Sequence, residues 1–184
     1  MKTPFDWIAT EKQKSVFIFL VVLTIIVMAC LQILGKPLST DAAPGGIVSF
    51  EFAGDPATAR AILDSWGVTG QVYAGLNLGL DFLFLFAYAS SIGLGCLLVA
   101  QSLLPQGSLI HKMGLWLSWG LPVAAILDCV ENYALIRLLL GSTSAVWPTV
   151  ARWCAIPKFT LVVLGLLFVL IGGVAALFRR QKLN

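Results

Sequence analysis

Val16-Phe17-Ile18-Phe19-Leu20-Val21-Val22-Leu23-Thr24-Ile25-Ile26-Val27-Met28-Ala29-Cys30-Leu31-Gln32-Ile33-Leu34 is a run of 19 residues without a charge, and Thr24 and Gln32 are its only polar members. As a helix it is about 28 Å long, which matches the hydrocarbon core of a bilayer. It is also longer than the roughly 7–15 apolar residues of a cleaved signal. Val27-Met28-Ala29-Cys30 has the outline of a lipoprotein cleavage box, but methionine fits poorly there and the next turn stays apolar. The run is therefore expected to be a retained membrane span.

Three more apolar stretches follow, and together they predict spans at residues 16–34, 74–104, 113–140 and 153–178, with an outer loop at 35–71. The second lies in an apolar run, 72–104, whose only charge is Asp81. Those 33 residues would measure roughly 50 Å as a helix, so this helix must tilt or project from the membrane. Composition agrees: of 184 residues 59% are apolar and 11% charged, with a mean hydropathy of +0.92. A soluble domain carries about 25% charged residues, so a soluble monomer and a disordered chain are both excluded. The expected fold class is all-α: a single polytopic membrane domain over 1–184, with four helices in a bundle and no internal repeat.

Lys and Arg placement predicts orientation. Lys2, Lys12, Lys14, Lys112, Arg179, Arg180 and Lys182 flank one side of these spans, against Lys36, Arg60 and Arg152 on the other. Trp7, Trp116 and Trp119 fall at the first boundary and Trp66, Trp147 and Trp153 at the second. Both termini are therefore expected in the cytoplasm, with the chain in the cell (inner) membrane. The loop contains a Pro44-Gly45-Gly46 turn cluster and then Ile47-Val48-Ser49-Phe50-Glu51-Phe52, an extended segment or an interfacial stretch. Asp55-Pro56 is an N-cap with proline at N1. The helix it starts places Ala59, Ile62, Leu63 and Trp66 on one face and stops at Gly67. That face suits a helix lying on the membrane or over the bundle, either as a structured surface loop or as a lid.

Ionisable residues inside spans each cost roughly 2.5–3.5 kcal/mol at mid-membrane, so each needs a partner or a wet cavity. Asp128, Glu131 and Asn132 share a face of the third span, roughly 12–18 Å from its outer end. Asn77, Asp81, Tyr88 and Ser91 form a stripe on the second. Arg137, Arg152 and Lys158 are the bases that could meet the acids Asp81, Asp128 and Glu131. Pro122 is expected to kink the third span, and Pro157 to occupy an early turn of the fourth.

Two readings of this cluster stand side by side. The acids form interhelical ion pairs that fix helix register, as in an accessory subunit packed on a membrane-protein partner or a second copy. Alternatively they form an outward-facing site for a lipid-like or amphiphilic molecule between the second, third and fourth spans, with Glu131 nearest its mouth. A third reading, an ion- or proton-coupled transporter, lacks comparable acids in the inner half. No H-E-x-x-H, G-x-S-x-G, P-loop or paired cysteine supports an enzyme. Asp128 and Glu131 could transfer protons only if burial raised one of them. Cys30, Cys96, Cys129 and Cys154 are read as small buried apolar residues, and His111 as lying in a short polar connection. Neither metal nor cofactor is expected, and a net charge of +3 gives no nucleic-acid surface.

The segments Phe50-Glu51-Phe52-Ala53, Leu80-Asp81-Phe82-Leu83-Phe84 and Asp128-Cys129-Val130-Glu131-Asn132 resemble a group of small bacterial four-helix membrane proteins of unassigned function. That resemblance implies the four-helix architecture and no activity. A more distant similarity, to the emopamil-binding/sterol-isomerase group, implies membrane-embedded acids around an amphiphile. This sequence departs from that group in having no intramembrane histidine.

Overall fold

The computed structural model describes residues 3–103 and 108–181, with backbone alone at 102–103 and 176–181. Lys2, Leu104 and Lys182, on which parts of the orientation and span readings rest, lie outside the described residues, as do the side chains of Phe178, Arg179 and Arg180. The chain forms α1 (Thr10–Gly35), a 3-10 turn (Lys36–Leu38), α2 (Ile47–Glu51), α3 (Pro56–Leu103), α4 (Leu109–Leu139) and α5 (Val146–Gln181), with no strand among the described residues. Four of these helices are long and apolar enough to cross a membrane. They form the expected all-helical four-span bundle.

α3 is the central element and packs against α1, α4 and α5, while α4 and α5 pack against each other. α1 rests on α3 and makes no extensive contact with α4 or α5. Its exposed face carries Ile18, Phe19, Val22, Ile26 and Ile33, residues for which lipid rather than protein is the solvent. A cleft is thereby left between α1 and α5.

Asp55 does cap the next helix: its Oδ1 accepts from the Thr58 amide at 2.9 Å and its Oδ2 from the Thr58 hydroxyl at 2.7 Å. Those bonds, the amide first, hold the exposed Asp55 carboxyl below its ordinary range. The helix turns sharply at Gly67, where φ is 56° and ψ is −172°. That region is essentially closed to residues with a Cβ, so glycine sets the corner between residues 56–66 and the span that follows.

The face Ala59, Ile62, Leu63 and Trp66 is buried over the bundle end, in one core with Leu38, Phe50, Leu78 and Leu135. Trp66 packs edge-on against Phe50 at 5.2 Å and donates its Nε1–H to the Leu38 carbonyl at 2.7 Å. This arm is a packed cap of the bundle.

Three local expectations are corrected. α5 begins at Val146, a turn and more before the expected start near Trp153, so Pro157 sits well inside the helix. It removes the amide that would bond the Trp153 carbonyl, one residue before Lys158. His111 lies in the first turn of α4, where the Ser108 hydroxyl accepts from its amide at 3.2 Å and its Nδ1 meets the Ala100 carbonyl at 2.9 Å. All four cysteines are free, but only Cys96 is buried; Cys30 and Cys129 are exposed. On helices surrounded by lipid an apolar thiol need not face inward.

Candidate functional site

Lys158 on α5 is the hub of a buried charge cluster. Its Nζ donates to Glu131 Oε1 at 2.8 Å and to Asp128 Oδ1 at 3.0 Å, both on α4. Glu51 Oε2, on α2, stands 3.7 Å from the same nitrogen. The Phe159 ring lies beneath it, with its centroid 4.6 Å away. Around this hub the Tyr88 hydroxyl donates to Asp128 Oδ2 at 2.8 Å, and Asn132 Nδ2 donates to Asp81 Oδ2 at 2.7 Å. Asp128, Glu131 and Asn132 are brought together because spacings of three and four place them on one face of α4.

The structure therefore gathers Asp81, Tyr88, Asp128, Glu131, Asn132 and Lys158. It leaves the other three candidates elsewhere. Asn77 donates to the Leu31 carbonyl at 3.0 Å and ties α3 to α1. The exposed Arg137 guanidinium sits 5.5 Å over the Trp147 ring, and Arg152 is exposed beside Gly54.

Glu51 is the member of the cluster that sequence reasoning missed. The stretch Ile47–Phe52 is not extended: residues 47–51 form a short helix whose end turns Phe50 and Glu51 inward. The available signal was an acid flanked on both sides by phenylalanine. Burial raises the Glu51 carboxyl to about 7, opposed by the neighbouring Lys158 ammonium and reinforced by Asp128 and Asp81.

A cavity of about 540 Å³ opens beside the cluster, between α1, α3 and α5. At one end its wall is Glu51, Asp81, Tyr88, Asp128 and Lys158. Beyond them the wall turns apolar, with Phe17, Val21, Ile25 and Met28 from α1 facing Val162, Leu166 and Val169 from α5. Phe17 and Val169 at the far end pack closely on Gly95, where a Cβ would lie 2.9 Å from Val169 Cγ2 and 3.0 Å from Phe17 Cε2. Over the 11 helical steps from Phe17 to Met28 the channel runs about 16 Å along α1. One end is charged, and the channel beyond it is lined by apolar side chains apart from Thr24 and Ser91, whose hydroxyls meet at 3.2 Å.

Two positional expectations change. The cavity is bounded by the first, second and fourth spans, with the third contributing Asp128 alone. Glu131, expected at the mouth, is 0% exposed and does not line the cavity. The 56–66 arm lines no part of it either, and α2 supplies the cover through Val48 and Glu51. In comparisons with known proteins, no family model matches the chain, and no curated protein or solved structure matches it significantly.

Proposed function

We propose that the chain is an integral membrane protein that binds a lipid-like or amphiphilic small molecule in the cavity between α1, α3 and α5. The head would meet Glu51, Asp81, Asp128 and Lys158, and the chain would lie between α1 and α5. The observation that carries this reading is the division of one cavity wall into a polar end and an apolar channel. Ligand sites are mostly apolar enclosures of about 300–1,000 Å³ with a few convergent polar groups, which this cavity matches. The Lys and Arg bias supports the inner membrane, with both termini cytoplasmic and the charged end of the cavity in the outer leaflet.

A second reading, the ion-pair lock of an accessory subunit or homo-oligomer, is favoured by one observation: Lys158 is already bonded to both Asp128 and Glu131. Photo-cross-linking separates the two. A monoacylglycerol bearing a diazirine in its chain, added to native membranes, is expected to label Ile25, Met28, Val162 and Leu166 in preference to the outward-facing Ile18 and Ile26. Uniform labelling around α1 would return the cluster to the structural reading.

A further inference from the structure

Four carboxyl groups, Glu51, Asp81, Asp128 and Glu131, are grouped around one ammonium, Lys158. The two other bases that could have balanced them are exposed and turned away, on Trp147 and beside Gly54. Lys158 is also committed, with two short bonds to α4. An anionic head entering the cavity would therefore find no uncommitted cation and several acids.

A second observation points to what is missing. Glu51 lines the cavity, is only 8% exposed, and its Oε2 has no hydrogen-bond partner. Its nearest donor, the Lys158 ammonium 3.7 Å away, is beyond hydrogen-bond reach, and a buried acceptor held only by that long ion pair favours a further cation beside it. The walls offer aromatic rings as well: Phe84, Tyr88 and Phe159 all line the same end. Carboxylates interleaved with aromatic faces are the surroundings that stabilise an organic cation out of water.

We infer that the head group taken by this site is cationic: an amine or quaternary ammonium amphiphile, seated with its charge between Glu51, Asp81 and Asp128 and its chain between α1 and α5. This rests on the amphiphile-binding reading and adds the charge of the head. Cationic charge is what the surplus acid lacks. A metal ion is a poorer match, because among the described residues no three His, Cys, Asp or Glu side chains are arranged to hold one.

The test is equilibrium binding to the purified full chain in nanodiscs, with empty nanodiscs as background. Two labelled probes are used, a long-chain alkyltrimethylammonium and a monoacylglycerol of matched chain length, with the matched alkyl phosphate and alkylphosphocholine as competitors. The expected result is saturable binding of the cation, displaced at least tenfold less well by the phosphate than by unlabelled cation, with the zwitterion between them. Glu51→Gln and Ile25→Trp should each weaken it at least tenfold. Ile25 is 54% exposed on α1, so that variant narrows the channel without touching the charge cluster. Equal displacement by the phosphate, or binding of the monoacylglycerol alone, would overturn the cationic head and leave the amphiphile site standing. Saturable binding of neither probe would overturn both, and wild-type affinity in either variant would overturn the placement.

Discussion

Lys158 and Glu131 meet at 2.8 Å where neither has water to fall back on, the lysine side chain being 7% and the glutamate 0% exposed. The pair joins α5 to α4, and Glu131 lies behind the cavity wall. In the proposed site it holds the ammonium that also bonds Asp128 and stands 3.7 Å from Glu51.

Glu131→Gln keeps the shape and removes the charge. Breaking one partner of a buried pair costs about 3–5 kcal/mol. A thermal melt in detergent should show a large loss of melting temperature that added lipid does not restore. A melt within a degree or two of wild type would remove Glu131 from the lock.

Gly67→Ala tests the corner between the cap and the second span. No atom lies within 4 Å of a Cβ added there, so the cost is conformational and not steric. At φ 56° and ψ −172° it should be about 1–3 kcal/mol. Chemical denaturation should find that loss, with probe affinity in the folded fraction unchanged. Full wild-type stability would mean that the arm meets the span at another angle.

Glu51 gives stability a pH dependence with a defined sign. Its carboxyl is raised from 4.5 to about 7 in the folded chain, so the unfolded chain releases this proton first. Its penalty is absent below about 4.5 and complete above about 7, and stability falls as pH rises between them. The gross effect is on the order of 3 kcal/mol. Lys158, Asp128, Asp81 and Glu131 set the carboxyl's environment and stay in place in Glu51→Gln, which should flatten the slope in that window. An unchanged slope in the variant would assign the titration to another group.

Much of this was legible in the chain. The spans follow from apolar length, the cap from Asp55-Pro56, and the corner from Gly67, because each is a local property. What was not legible depends on rotation and long-range packing. Arg137 lies nine residues after Asp128, two and a half helical turns, hence on the opposite face of α4; periodicity alone would have removed it from the cluster. Glu51 was hidden because tertiary packing, more than local preference, folds a five-residue helix inward. Which helix pair encloses the cavity depends on how α1 leans on α3, and no local pattern in the sequence encodes that.

Topology follows from the basic bias. With the native cysteines replaced, single cysteines at positions from Asp41 to Trp66 that are exposed should react with an impermeant maleimide from outside intact cells. One at Lys112 should react only after permeabilisation. Outside labelling at Lys112 would invert the proposed orientation and place the charged end of the cavity in the inner leaflet.

The central claim is that the space between α1 and α5 holds an amphiphile. Native mass spectrometry of the chain, extracted from its own membrane in a mild detergent, measures this directly. The account predicts one bound small amphiphile per chain, retained through gentle activation and lost from Ile25→Trp. Equal adducts on wild type and Ile25→Trp, or none on the wild type, would contradict it.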